Sequence, residues 1–114
     1  MKPGDVVLVR FPFTEVGTTK KRPALLLAET TRARRYRLAT VAMITSQVEG
    51  IKLPGDVLLA GWERSGLLHP SLMRLAKIAT VDGSLVERSI GRLTTEDLRA
   101  TRVAFQKHFA PWLT

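Results

Sequence analysis

The chain has 114 residues and a net charge of +8, and twelve of its eighteen basic residues are arginines. We expect one domain over residues 1–114 that buries roughly two thirds of its unfolded surface, and no stretch reaches the roughly 20 apolar residues that span a bilayer. No cysteine and only two histidines, His69 and His108, are present, which excludes a disulfide framework and disfavours a zinc site. The composition therefore predicts a cytoplasmic protein without metal or cofactor, and its arginines favour nucleic acid over an acidic protein or plain solvent as their partner.

The first half of the sequence predicts three strands, over 5–11, 23–29 and 35–44. The second strand opens at Arg22-Pro23, where a proline suits the first position of a strand but not its middle. The polar segment before it, 14–21, contains a glycine and ends in two lysines, and we interpret it as a mobile flap. An ordinary hairpin connection with solvated lysines is the alternative.

The second half predicts strands over 56–60, 71–81 and 85–91, followed by a helix over 95–109. The Asp82-Gly83 pair between the last two strands is typical of a tight hairpin, which indicates a mainly antiparallel sheet. Short strands joined by turns favour a small, curled SH3-like barrel that reduces its exposed edges by partial closure. The fold class is therefore mainly β with a C-terminal helix.

The helix carries a start signal at Thr94, whose hydroxyl is expected to cap the first turn while Asp97 reaches back in a capping box. Apolar and aromatic side chains then recur at helical spacing, which predicts one face packed on the sheet. Because such a stripe is typical of a core, its phenylalanines are not expected to bind nucleobases. The stripe consists of Leu98, Thr101, Phe105, Phe109 and Trp112.

The order of these parts resembles the MazF/PemK-like toxins of bacterial type II toxin–antitoxin systems. The resemblance covers nearly the whole chain and is carried by short motifs in the family's order: Lys20-Lys21-Arg22-Pro23, Thr45-Ser46, the stretch from Ser65-Gly66-Leu67 to Arg74, and Ile90-Gly91-Arg92-Leu93. It implies a CcdB/PemK-type antiparallel barrel, a metal-independent site that cleaves single-stranded RNA, a homodimer and a cognate acidic antitoxin.

The resemblance also implies roles for single residues. Arg22 corresponds to a main catalytic residue, and Thr45 to the hydroxyl that contacts the scissile phosphate or the attacking 2′-oxygen. Arg74 is expected to stabilise charge as well, although a strand arginine that pairs with a carboxylate is an equally good interpretation. Many relatives carry a carboxylate two residues further on, where this chain has Ala76.

Proton transfer needs a different group, because an arginine stays protonated at pH 7. Glu15 in the first loop and His69 are the candidates, and the imidazole exists in both protonation states near neutral pH. RNA binding is expected to involve apolar or aromatic surfaces for the bases together with polar and basic side chains. This set consists of Phe11, Phe13, Lys20, Lys21, Ser46, Trp62 and Ser71, of which the three aromatic residues have the core or a dimer interface as their alternative.

The function that the resemblance implies is a sequence-selective endoribonuclease toxin that cleaves mRNA through attack of the 2′-OH, leaving a 2′,3′-cyclic phosphate. RNA carries its own nucleophile, so such a site needs alignment, charge stabilisation and proton transfer but no metal. Two alternatives stay open because a small barrel supports several functions. One is a noncatalytic, DNA-binding toxin that poisons gyrase, and the other is a nucleic-acid-binding module without turnover.

Overall fold

The structure is a computed structural model that describes residues 1–11, 20–33 and 36–113. Its elements confirm the mainly β fold with a C-terminal helix, and no helix in these ranges is long and apolar enough to cross a membrane. The strands are β1 (Asp5–Phe11), β2 (Lys20–Ala33), β3 (Tyr36–Thr45), β4 (Asp56–Leu58), β5 (Leu72–Asp82) and β6 (Val86–Arg92). A 3-10 turn, Gly83–Leu85, precedes β6, and the helices are α1 (Thr95–His108) and α2 (Ala110–Leu113).

All six strands belong to one antiparallel sheet with the order β4-β5-β3-β2-β1-β6. Successive residues of a strand point to opposite faces, and apolar residues occupy both faces here. Val6 and Leu25 belong to a cluster that α1 covers through Leu98, whereas Val7 and Leu26 belong to a second cluster on the other face. Burial on both faces explains why β1 and β2 read as continuous apolar runs rather than as alternating ones.

The sheet is not closed into the expected barrel, because no ladder joins β4 to β6 in the part of the chain that the structure describes. A turn lies against the β6 edge instead. A Cβ on Gly66 would lie 2.0 Å from the Ile90 carbonyl oxygen, and one on Gly91 would lie 2.2 Å from the Ser65 carbonyl oxygen. Gly66 also has a φ of +85°, so the close contact requires glycine at this position. A packed turn thus covers an edge that a closed barrel would pair.

The predicted hairpin at Asp82-Gly83 is wrong. In the described residues β5 pairs with β3 and β4, whereas β6 pairs with β1 at the far side of the sheet. The Asp82 carboxylate accepts a hydrogen bond from the Ser84 amide (2.9 Å) and caps the 3-10 turn, which carries the chain across to β6. An aspartate can satisfy backbone N–H groups in several kinds of turn, so the residue pair alone does not fix a hairpin.

The helix start is confirmed, but the capping box is wrong in its second half. Thr94 Oγ1 accepts a hydrogen bond from the Asp97 amide at 3.2 Å. The Asp97 carboxylate does not return to Thr94; its oxygens accept from the amides of Ala60 (2.9 Å) and Gly61 (2.8 Å). Asp97 is buried, so its carboxylate joins α1 to the segment that follows β4.

The apolar stripe of the helix is only partly core. Thr101 is buried and Leu98 packs on the first cluster, but Phe105 is 39% exposed and Trp112 is 87% exposed. The rings of Phe105 and Phe109 contact each other, with centroids 4.6 Å apart. Phe105 lies beside Leu27 and Ile78 of the sheet in a surface groove, so the end of the stripe stays partly exposed.

Candidate active site

A cleft of about 350 Å³ opens where the start of β2 meets the end of β3. Its third side is the 66–71 segment, which leads into β5. The cleft brings together six polar residues that the sequence had singled out, from three separate parts of the chain. They are Lys21, Arg22, Thr45, Ser46, His69 and Ser71.

The backbone around Arg22 is held by pairing between β1 and β2. Arg22 lies opposite Val9 and Pro23 lies opposite Leu8, while the strand itself already begins at Lys20. The sequence predicted Pro23 at the first position of the strand. In the structure it lies inside the strand. The proline fixes the backbone next to Arg22 at a φ of about −65°, and the Arg22 side chain remains exposed at the cleft.

Thr45 ends β3, opposite Leu72, and is half-buried. Its Oγ1 accepts a hydrogen bond from the Gln47 amide (3.1 Å), which turns the chain out of the strand. A hydroxyl group has one proton to donate besides its acceptor lone pairs. The bond from Gln47 therefore orients the Thr45 oxygen while leaving its O–H free to donate into the cleft, next to the exposed Ser46.

The 66–71 wall is fixed by Ser71, which is buried. Its Oγ donates to the carbonyl oxygen of His69 at 2.8 Å, and its own carbonyl accepts from the Leu59 amide at 3.0 Å. The Ser71 hydroxyl thus helps to shape the wall, and its role in RNA binding stays a prediction. His69 and Leu68 are exposed on the same wall, with Leu68 at 84%.

One carboxylate at the rim was missed by the sequence reading. The Lys21 ammonium donates to Glu87 Oε1 at 2.9 Å, and this bond holds the pKa of Glu87 below its ordinary value. Glu87 lies on β6, which reaches β2 only across β1. No local pattern in the sequence reveals this proximity, because the pair is 66 residues apart and depends on the strand order.

The structure places Arg74 outside the cleft. Its Nε lies 3.5 Å from Asp56 Oδ1, and its Nη2 donates to the carbonyl oxygen of Ile51. Both side chains of the pair are largely buried, at 12% and 8% exposed. The interpretation as a strand arginine paired with a carboxylate therefore describes its surroundings, and this placement gives no support to a catalytic role.

Two of the three aromatic residues proposed for RNA binding, Phe11 and Trp62, do not line the cleft. Phe11 is buried in the second apolar cluster, and Trp62 packs on the first. Lys20 is exposed at the start of β2 but does not line the cleft. Phe13 and Glu15 lie outside the described residues, so their predicted roles stay predictions. The apolar part of the cleft lining has Leu68 as its most exposed member and consists of Leu8, Pro23, Ile44, Leu67, Leu68 and Ile90.

The cleft combines cations, hydroxyl groups and one imidazole. Within residues 1–11, 20–33 and 36–113, no group of three or more His, Cys, Asp or Glu side chains could hold a metal ion. Arg22 offers a charged donor fork for a phosphate, Thr45 a neutral donor, and His69 a group that can carry a proton. This arrangement suits an anionic ligand with a reacting oxygen.

Comparisons with known proteins agree with this fold. Residues 2–109 match the family model described as "PemK-like, MazF-like toxin of type II toxin-antitoxin system". The structure is similar to the Mycobacterium tuberculosis toxin MazF-mt6, with 25% identity, a TM-score of 0.69, and coverage of 93% of this chain and 96% of that one. No curated protein sequence matches the chain.

Two further solved structures share the fold. An endoribonuclease in complex with its cognate antitoxin, from a mycobacterial species, is 15% identical with a TM-score of 0.69, and the match covers 95% of this chain and 93% of that one. MazF from Deinococcus radiodurans is 17% identical with a TM-score of 0.64, and the match covers 96% of both chains. At these identities the likeness is one of architecture.

Proposed function

The chain belongs to the PemK-like, MazF-like toxins of type II toxin–antitoxin systems, and on that premise we propose that it is a metal-independent, sequence-selective endoribonuclease that cleaves single-stranded mRNA. The observation that carries the proposal is the meeting of Arg22 and Thr45 in one cleft. Those two residues come from different strands, and the resemblance to the family implies a catalytic role for each.

The proposed reaction uses the nucleophile of the RNA itself. The 2′-oxygen attacks the adjacent phosphorus, the P–O5′ bond breaks, and the products are a 2′,3′-cyclic phosphate and a free 5′-hydroxyl. Arg22 stabilises the negative charge that develops on the phosphate oxygens, and the Thr45 O–H donates to one of them or to the 2′-oxygen. Binding in the cleft holds the 2′-oxygen in line with the leaving group.

Two proton transfers complete the reaction, one from the 2′-OH and one to the leaving 5′-oxygen. His69 is exposed on the cleft wall and is our candidate among the described residues. Glu15, in the segment that follows β1, is the other candidate. Glu87 does not take this role in our proposal, because its carboxylate is bound to Lys21.

We also propose the two protein partners that the sequence analysis predicts, an acidic antitoxin and a second copy of this chain. An acidic antitoxin matches the net charge of +8, and one solved structure of this fold is of an endoribonuclease with its cognate antitoxin.

We also propose that the protein forms a homodimer and that it acts in the cytoplasm. An apolar groove of about 370 Å³ between the sheet and α1, lined by Leu27, Ile78 and Phe105, supports an interface there, because exposed apolar surfaces mark sites of association.

The test uses purified protein, mixed-sequence single-stranded RNA and excess chelator. We expect cleavage to persist and the products to end in 2′,3′-cyclic phosphates, as read by end-group analysis. Arg22→Ala, prepared in the same way, is the matched control for a contaminating nuclease. Three results would overturn the proposal. They are products with a 5′-phosphate, activity that requires added magnesium, and growth inhibition that depends on a topoisomerase and occurs without RNA cleavage.

A further inference from the structure

Three cations form a strip across three neighbouring strands, next to the cleft. Arg10 on β1 lies opposite Lys21 on β2, and Arg88 on β6 lies opposite Leu8 on β1. Residues that face each other across antiparallel strands share a face of the sheet. Since Leu8 and Lys21 line the cleft, the strip of Arg10, Lys21 and Arg88 is continuous with it.

A bulge places one carboxylate among these cations. The pairing of β1 with β6 shifts by one residue between Leu8 and Val9, which leaves Glu87 as the extra residue. Glu87 binds Lys21, and its carboxylate also feels the charges of Arg10 and Arg88. One anion against three cations leaves a net charge of +2 on an exposed surface.

Arg10 and Arg88 keep their charges available. Arg10 donates one bond to the Ser84 carbonyl oxygen, which orients its guanidinium without neutralising it. Arg88 is exposed and forms no ion pair with any residue that the structure describes. A guanidinium with free donors suits phosphate oxygens, which it can bind with two parallel hydrogen bonds.

We propose that this strip binds the sugar–phosphate backbone of single-stranded RNA on one side of the nucleotides held in the cleft. The inference rests on the proposed ribonuclease function and adds a path for the flanking strand. The three strands span about 10 Å from β2 to β6, which extends the contact well beyond the reacting phosphate. Glu87 limits the attraction by occupying Lys21 until a phosphate displaces it.

The chemistry of the strip favours RNA over an acidic peptide. Protein partners gain most of their affinity from apolar or aromatic anchors buried in pockets. The strip consists of charged side chains around a carboxylate and a backbone carbonyl, and of its three cations only Lys21 also lines the cleft. A polyanion with regularly spaced charges and an exposed backbone needs only the cations, and it gains affinity by releasing counterions.

The experiment measures binding of 2′-O-methyl RNA, which keeps the phosphates but lacks the 2′ nucleophile. A short oligonucleotide of about four nucleotides occupies the cleft, and one of about twelve nucleotides also reaches the strip. We expect Arg88→Ala to weaken the long oligonucleotide several-fold and to reduce the slope of log affinity against log salt by about 0.7, the value for one single-strand phosphate contact. Glu87→Gln should have the opposite effect and increase the affinity for the long oligonucleotide. Arg99→Ala removes an exposed arginine from α1 and is the control for total charge.

The outcomes separate the strip from the catalytic proposal. If Arg88→Ala changes both lengths equally, changes neither, or matches Arg99→Ala, the strip does not bind the flanking strand, whatever the wild type cleaves. If Arg88→Ala weakens the binding of an acidic peptide of equal charge but not the binding of the long RNA, the surface belongs to a protein partner and the inference is wrong. If the long RNA depends on Arg88 while unmodified RNA is not cleaved, the strip stands and the proposed function falls.

Discussion

Replacing Asp97 by alanine should lower the free energy of unfolding of the protein. The buried carboxylate accepts hydrogen bonds from the amides of Ala60 and Gly61, at 2.9 and 2.8 Å. A net hydrogen bond to a charged group contributes about 1.5–3 kcal/mol, and the variant leaves two backbone amides without their acceptor. We therefore expect a loss of about 3–5 kcal/mol in the free energy of unfolding, a large share of the roughly 5–15 kcal/mol that stabilises a domain.

The assay is denaturant unfolding at a fixed protein concentration, with Glu96→Ala as the control. Glu96 lies in the same first turn of α1 and is exposed, so its loss removes only a favourable interaction with the helix dipole of about 0.3–1 kcal/mol. Asp97→Asn should fall between the two variants, because an amide oxygen can accept from one backbone N–H while its NH2 group cannot accept from the other. If Asp97→Ala is no more destabilised than Glu96→Ala, the carboxylate does not hold the segment after β4.

Three further predictions concern the cleft and its supports. Arg22→Ala and Thr45→Ala should each abolish growth inhibition at equal expression while the protein stays folded, as judged by thermal melting, and full toxicity of Arg22→Ala would contradict the site. Gly66→Ala should cost more than about 2 kcal/mol, because its Cβ would lie 2.0 Å from a backbone oxygen, whereas Gly50→Ala should be nearly neutral in the same unfolding assay. Because the pKa of Glu87 is lowered, its pairing stabilises the fold above about pH 4.5 and is lost as the pH falls through the lowered pKa. The stability difference between wild type and Glu87→Gln should therefore shrink in acid, and a constant difference would contradict the pairing.

The strands and the helix could be predicted because their signals are local. Apolar runs bounded by turn residues gave β1 as 5–11, and the structure has Asp5–Phe11. The Thr94 cap likewise placed the start of α1, which begins at Thr95. Each of these signals depends on residues within one turn or one strand, so a single sequence contains all the information needed.

Pairing between elements could not be read in the same way. The Asp82-Gly83 pair has a local preference for several turns, and the choice among them depends on whether β6 gains more by pairing with β1 than with β5. The prediction that the whole apolar stripe of the helix lies in the core was wrong for a related reason. The spacing of the stripe shows which side chains share a face, but not how closely each one packs in the folded chain, where Thr101 is buried and Phe105 is 39% exposed.

In the candidate site too, the contacts set by strand pairing could not be predicted from the sequence, and these contacts affect the proposed mechanism. The resemblance makes Arg22 a main catalytic residue and Arg74 a second stabilising cation, for which an ion pair with a carboxylate is an equally good interpretation. The register of β4 against β5 sets Asp56 directly opposite Arg74, so that side chain is committed to a structural pair. Lys21 is likewise held by Glu87.

Arg22 is then the one unpaired cation lining the cleft among the described residues. In our mechanism the stabilisation of the developing phosphate charge therefore falls on a single guanidinium rather than on two. Removing a preorganised donor of this kind typically costs about 10²–10³ in kcat. With no second arginine to compensate, Arg22→Lys should restore little of that loss, since an ammonium cannot reproduce the two parallel hydrogen bonds of the guanidinium fork. Single-turnover cleavage by the alanine and lysine variants measures this directly, and a lysine variant close to wild type would mean that charge alone, without fork geometry, is what the reaction needs.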